Sequence, residues 1–223
     1  MLKVLLKGGP TMIPLLICSV LSLAIIIERY YYFRKQDNNN FRLFKKIELL
    51  LSNGKVSKAK NEAKQANGPI AAMFLSGLEN YGENRQTLKE YIQATGQDQV
   101  KAMEKRLRIL DFIVTVAPLL GLLGTVIGII NSFNILAGAQ GIAAPSALSM
   151  GIAEALISTA TGLIVAIPSM LFYTYLDSKV EEKVNEMNQW STKLIELLSE
   201  DNNDFKRSQS GNIRGERYVS QKY

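Results

Sequence analysis

Three long runs of apolar residues, separated by polar segments, dominate the pattern of this chain. The first run, residues 8–27, contains no charged side chain, and a helix of about 20 residues at roughly 1.5 Å per residue crosses the bilayer core. The second and third runs, residues 109–137 and 149–176, exceed that length. We therefore predict an all-α integral membrane protein with three transmembrane helices, the last two of which are long and project into the cytoplasm.

The polar segment between the first two runs also has helical periodicity, with apolar positions three and four residues apart. Two such patterns are separated at Gly68 and Pro69, a dipeptide that interrupts helices. From Thr87 a further pattern has no proline before Pro118, so we expect this helix to continue into the second span. Another apolar stripe follows the third span, over residues 180–198.

Charge is distributed unevenly along the chain, which predicts its orientation in the membrane. Residues 34–108 contain 15 Lys and Arg against 8 Asp and Glu, whereas residues 138–148 contain no charged side chain. Positive charge concentrates on the cytoplasmic side of membrane proteins. We therefore predict a multi-pass protein of the bacterial inner membrane with the N-terminus in the periplasm and the C-terminus in the cytoplasm. The same bias explains the net charge of +6 without a nucleic-acid partner.

These patterns divide the chain into eight predicted segments. In order they are a periplasmic N-terminal segment (1–10), transmembrane helix 1 (11–33), a cytoplasmic helical insert (34–108), transmembrane helix 2 (109–137), a periplasmic loop (138–148), transmembrane helix 3 (149–176), a cytoplasmic helix (177–198) and a disordered tail (199–223). A signal peptide is the alternative for the first span. It is disfavoured because no small-residue cleavage site follows and the stronger positive cluster lies after the span.

The second and third spans each carry a stripe of small and hydroxylated residues on one helix face. On the second span the stripe comprises Pro118, Gly121, Thr125, Gly128 and Ser132, and on the third it comprises Glu154, Ser158 and Thr161, with Thr159 on the adjoining face. Close packing of helices is one interpretation of such stripes, as in Gly-xxx-Gly interfaces. A narrow polar wall that lines a pore is the other.

Glu154 is the single charged residue among the 65 that separate Asp111 from Asp177. An ionised carboxylate inside a bilayer costs about 2.5 kcal/mol or more, so it is protonated, paired or placed in a wet cavity. Each of these environments suits a group that carries protons. The alternative is a glutamate near the membrane surface that is simply hydrated, since Glu154 lies near the predicted start of the third span.

The composition excludes several classes of function. The chain contains no histidine and one cysteine, Cys18, which removes histidine-based catalysis and intrachain disulfides and argues strongly against a zinc site. No nucleotide-binding motif is present. We therefore expect neither an enzyme nor a cofactor.

The two stripes lie in longer motifs, APLLGLLGTVIGI at residues 117–129 and GIAEALISTATGL at residues 151–163, and an Ala-Ile-Pro sequence follows at 166–168. Together they resemble the MotA/TolQ/ExbB proton-channel family, and the ExbB and TolQ branch best. The resemblance is strong over residues 105–176, and the order of one outer span, a helical insert and two long spans is similar throughout.

The resemblance implies a homo-oligomeric ring in the lipid bilayer, typically a pentamer, around the single membrane helices of a dimeric partner such as ExbD or TolR. Protons pass between ring and partner, and the periplasmic part of the partner acts on TonB, TolA or the cell wall. By position, the family's pore threonines correspond to Thr125 and Thr159, and its pore glutamate corresponds to Glu154. The insert is shorter than expected for a flagellar stator.

The sequence thus favours a proton-channel subunit of a motor driven by the proton motive force. A self-contained ion channel or transporter is an alternative from another class, but it would need a second ionisable group in the spans. A structural membrane scaffold, in which Glu154 is incidental, is the third possibility.

Overall fold

The structure is a computed structural model that describes the backbone of residues 9–35, 40–138 and 145–220, and the side chains of 9–34, 40–137 and 149–199. Its regular secondary structure in these ranges is entirely α-helical, as predicted. The helices are α1 (Met12–Lys35), α2 (Asn40–Ser52), α3 (Val56–Gln65), α4 (Pro69–Glu79), α5 (Arg85–Gly138) and α6 (Pro145–Ser220).

Three of these helices, α1, α5 and α6, are long enough and apolar enough to cross a membrane. This confirms the prediction of three helices of membrane-spanning length and composition. The long pattern that begins near Thr87 is one uninterrupted helix, and Pro118 lies inside it.

Parts of four predicted segments lie outside the described residues, namely 1–8, 36–39, 139–144 and 221–223. The predicted disordered tail begins at residue 199, whereas the helical backbone of α6 continues to Ser220. Disorder of this tail in solution stays a prediction that amide hydrogen exchange would test, because unstable helical amides exchange rapidly.

The chain divides into two compact units, and the first comprises Met1–Phe33 with Glu104–Lys179. Within it α1 packs against the apolar parts of α5 and α6. Met12 and Leu15 of α1 form a buried cluster with Ala117 of α5 and Ala166 of α6. Small residues at this junction allow the three helices to approach closely, as is typical of helix packing in membranes.

Two hydroxyl pairs join α1 and the turn before it to α6 inside this unit. The Oγ1 atom of Thr11 lies 2.9 Å from the Oγ atom of Ser158, and the two Oγ atoms of Ser22 and Ser169 lie 2.5 Å apart. Both pairs have the same sequence separation, 147 residues. A constant separation means that α1 and α6 run parallel, so both helices cross the membrane in the same direction.

The second unit comprises Arg34–Met103 with Val180–Tyr223. Two of its short helices, α2 and α4, were expected from the periodicity. The break between helices falls where predicted, because Gly68 has a φ of 115° and Pro69 occupies the first turn of α4. Helix α3 has no strong apolar stripe and buries only small residues, Ala59 and Ala63, which explains why periodicity did not predict it.

Aromatic side chains form the centre of the second unit. Phe44, Phe74 and Trp190 contact one another with ring centroids 5.2–6.0 Å apart. The apolar stripe predicted after the third span is largely buried here, which gives Trp190 a packing role. At the edge of this core, the amide of Asn40 donates to Glu186 Oε1 at 2.7 Å.

Candidate functional site

Glu154 lies on the membrane-spanning part of α6 and is half-buried. Its side chain lines a cavity of about 170 Å³ within the first unit. Residues from the turn before α1 and from the two long helices α5 and α6 surround this space. They are Gly9, Pro10, Thr11, Gly124, Ile127, Gly128, Asn131, Ser132, Ile135, Met150, Gly151 and Glu154. The carboxylate is therefore placed in a recess of its own chain that also contains the polar side chains of Thr11, Asn131 and Ser132.

The turn that precedes α1 forms one wall of the cavity and comes close to the carboxylate. Gly9 adopts a positive φ of 74°, a conformation that residues with a Cβ atom rarely adopt. A Cβ atom placed on Gly9 would lie 3.1 Å from Glu154 Oε1. The Met12 amide donates to the Gly9 carbonyl at 3.2 Å, which closes the turn onto the first residues of α1.

Glycines on α5 and α6 bring these two helices into backbone contact. A Cβ atom on Gly162 would lie 2.6 Å from the Ala117 carbonyl oxygen and 3.1 Å from the Gly121 Cα atom. A Cβ atom on Gly128 would lie 2.8 Å from the Ala155 Cβ atom. Neither neighbour can move without separating the helices, so this contact requires glycine at both positions.

The hydroxyl groups on the two stripes have different partners. Thr159 donates to the Gly121 carbonyl at 3.0 Å and thereby links α6 to α5. Thr125 donates to the Leu122 carbonyl on its own helix at 2.6 Å, and Thr161 likewise donates to the Ile157 carbonyl at 2.8 Å. Of these three threonines, only Thr159 therefore holds two helices together.

The structure brings some of the predicted residues together and separates others. Gly128 and Ser132 line the same cavity as Glu154, whereas neither Thr125 nor Thr159 is among the described residues around it. The remaining predicted positions lie on α5 and α6. Gly121 and Ser158 are buried there, and Pro118, Thr125, Thr159 and Thr161 are half-buried.

Sequence reasoning missed the contribution of the turn before α1. Gly9, Pro10 and Thr11 were assigned to a periplasmic segment and the start of a span, and no role was given to them. Asn131 on α5 was missed as well. The Gly-Pro dipeptide was the available signal, since it marks a turn, but the sequence gives no indication that this turn meets a residue 145 positions away.

Charged groups also occur near the other end of α1. Arg29 is buried, at 5% exposure, and its Cζ atom lies 5.0 Å from the centre of the Tyr32 ring. Glu28 forms an ion pair with Arg106 of α5, and both side chains are about half-exposed. An exposed pair of this kind contributes little to stability, roughly 0–1 kcal/mol.

Comparison with known proteins identifies the family of this chain. Residues 65–189 match the MotA/TolQ/ExbB proton channel family. The chain belongs to this family. The match includes both glycine-rich motifs and Glu154.

Named relatives place this family member in the ExbB and TolQ branch. An ExbB-like biopolymer transport protein 3 of Synechocystis sp. is 35% identical over 171 residues, which cover 75% of this chain and 80% of the relative. The biopolymer transport protein ExbB of Aquifex aeolicus is 44% identical over 108 residues, 48% of this chain and 72% of the relative. The Tol-Pal system protein TolQ of Haemophilus influenzae is 42% identical over 82 residues, 37% of this chain and 36% of the relative.

Membership of this family and the three apolar helices together support a bacterial inner-membrane protein. The family is described as a proton channel, so this member has a proton-channel role in a system of the ExbB or TolQ type.

Proposed function

We propose that this chain is the ring-forming subunit of an inner-membrane motor that couples proton flow to an envelope process. Glu154 accepts and releases the protons, and a dimeric single-span partner of the ExbD or TolR type converts their passage into movement. A TonB-like or TolA-like protein then receives that movement. The ring is a homo-oligomer, with a pentamer as the expected form, and its long helices α5 and α6 extend into the cytoplasm.

The placement of Glu154 is the observation that carries this proposal. It is the single charged residue in the sequence between Asp111 and Asp177, and it lines a cavity with the polar residues Thr11, Asn131 and Ser132. Such surroundings lower the cost of a carboxylate at membrane depth and give its proton a path to exchange. A structural role alone would not need an ionisable group at this position.

The apolar helices leave a large hydrophobic surface on the isolated chain. Large side chains on α5 and α6 are exposed on the isolated chain, including Leu119 and Leu122 on α5 and Ile164 and Leu171 on α6. In a membrane these side chains contact lipid, further copies of the chain or the helix of a partner. Because Gly121 and Gly128 already contact α6 within the chain, the half-exposed Thr125 is the better candidate for a pore surface.

Substitution of Glu154 tests the proposal. Glu154→Gln keeps the size and hydrogen-bonding capacity of the side chain but removes its ionisation, so we expect it to assemble and to fail in energy-dependent function. Glu154→Asp should be partly active, and Thr125→Val and Thr159→Val should have milder effects. The measurement is complementation of a deletion strain, with complex formation followed by native mass spectrometry.

Glu181→Gln is the matched control, since Glu181 is an exposed glutamate on the same helix beyond the apolar part. It should complement fully. Full complementation by Glu154→Gln as well would show that the carboxylate does not carry protons. Proton flux in vesicles that contain the chain without a partner would instead support a self-contained channel.

The orientation is tested separately by labelling introduced cysteines with a membrane-impermeant reagent after replacement of Cys18. We expect labelling from the periplasmic side at positions in 138–148 and none at positions in 40–100. The parallel course of α1 and α6 requires both N-terminal ends to lie on one side. The opposite labelling pattern would refute the N-out topology and, with it, the proposed mechanism.

A further inference from the structure

The cavity beside Glu154 lies inside one chain, and three separate parts of that chain enclose it. The turn at Gly9, Pro10 and Thr11 covers one side, and residues of α5 and α6 form the others. The hydroxyl contact between Thr11 and Ser158, at 2.9 Å, fixes this turn against α6. The carboxylate therefore faces its own N-terminal turn.

The size and lining of this space suit water. A volume of about 170 Å³ exceeds several-fold the ~10–15 Å³ that one water requires by this type of measure. Thr11, Asn131, Ser132 and Glu154 supply polar side chains on its wall. Because water occupies cavities that offer it several hydrogen-bond partners, this one can hold a short chain of waters that ends at the carboxylate.

The turn comes close to the carboxylate at Gly9. A Cβ atom on Gly9 would lie 3.1 Å from Glu154 Oε1. The φ of Gly9, 74°, also disfavours any residue other than glycine. Glycine at this position thus keeps the carboxylate accessible from the turn. Among the described residues that line the cavity, Glu154 is the only titratable one.

We propose that the cavity is a proton-access route within each subunit, which hydrates Glu154 from the side of the α1 N-terminus and has its narrowest point at Gly9. This inference rests on the proposed function, in which Glu154 carries protons. A hydronium ion that enters the cavity donates one proton to the carboxylate, which leaves a water molecule and a neutral carboxylic acid. Release of the proton reverses this transfer.

Two buried serines provide a matched test by cysteine accessibility. Ser132 and Ser169 are each 2% exposed. Ser132 lines the cavity, whereas Ser169 lies away from it on α6 and contacts Ser22 of α1. Each is changed to cysteine in a Cys18→Ala background of the full-length chain assembled in membranes. The sample is treated with a membrane-impermeant cationic methanethiosulfonate, and unreacted thiols are then counted after denaturation.

We expect the reagent to modify the thiol of Ser132→Cys and to leave that of Ser169→Cys unreacted. Gly9→Ala should slow the modification at position 132, because its Cβ atom narrows the approach to the cavity. Asn131→Cys is the second variant if Ser132→Cys does not assemble. The proposal would be overturned if Ser132→Cys, or Asn131→Cys in its place, did not react. It would also be overturned if Ser169→Cys reacted equally.

The charge of the carboxylate gives an independent measurement. When Glu154→Gln is added to Ser132→Cys, the cationic methanethiosulfonate should react about fivefold more slowly and the anionic one about fivefold faster, as expected for one unit charge acting across a few ångströms in a water-like medium. The ratio of the two rates should therefore fall about 25-fold. An unchanged ratio would show that the reagents do not pass the carboxylate.

The two proposals fail in distinguishable ways. If Glu154→Gln loses energy-dependent function while the position 132 thiol does not react, the access route is wrong and the proposed function stands. If Glu154→Gln complements fully, the proposed function is wrong whatever the labelling shows.

Discussion

The contact between Gly162 and the backbone of α5 gives the sharpest prediction of stability in this protein. Gly162→Ala adds one methyl group whose carbon would lie 2.6 Å from the Ala117 carbonyl oxygen and 3.1 Å from the Gly121 Cα atom. Both are backbone atoms, so neither can rotate away. The two helices must separate to admit the methyl group, and the separation also strains the hydrogen bond from Thr159 to the Gly121 carbonyl.

The expected magnitude follows from three contributions. Overpacking a tight interface costs about 1–3 kcal/mol, and loss of one interhelical hydrogen bond in a membrane protein adds about 0.6 kcal/mol. The higher helix propensity of alanine offsets up to about 1 kcal/mol of this sum. We therefore expect Gly162→Ala to lower the free energy of unfolding by about 0.6–3.6 kcal/mol.

The assay is unfolding of the purified protein in mixed micelles by added SDS, followed by circular dichroism. Gly96→Ala is the control, because Gly96 is also inside a helix but a Cβ atom there would lie 3.4 Å from the flexible Met73 side chain. It should be neutral or stabilising by about 0.5–1 kcal/mol. Equal unfolding midpoints for Gly162→Ala and Gly96→Ala would refute the close approach of α5 and α6.

Two further predictions concern side-chain partners. Thr159→Val should destabilise the protein by about 0.6 kcal/mol, and by at most about 1.7 kcal/mol, in the same SDS titration; a midpoint equal to that of wild type would mean that the bond to the Gly121 carbonyl contributes nothing. Burial raises the pKa of Glu186, but hydrogen bonds from Lys183 and Asn40 outweigh this effect and lower the pKa below its ordinary value of 4.5. The ionised Glu186 carboxylate therefore stabilises the folded protein above that pH, and this stabilisation is lost as the pH falls below it. Thermal unfolding between pH 7 and pH 3 should thus show a smaller acid-induced loss of stability in Glu186→Gln than in wild type. Identical profiles would contradict this prediction.

The sequence by itself determined the parts of this protein that depend on local patterns. Long apolar runs predict spans because backbone polar groups in lipid must be bonded within a helix, and α1, α5 and α6 have the length and composition that those runs predicted. The isolation of Glu154 among uncharged residues, and the two motifs that place the chain in its family, also required no structure. Each of these signals lies within a few turns of one helix.

The tertiary structure decided which faces of those helices meet. A stripe of small residues is compatible with close packing and with a pore wall, because helical periodicity specifies a face but not its neighbour. The contact of Gly121 with the backbone of Ser158 and Thr159 assigns part of the stripe to packing within the chain. The turn at Gly9 reaches Glu154 only because α1 and α6 run parallel and close, and no local pattern connects residues that lie so far apart in sequence.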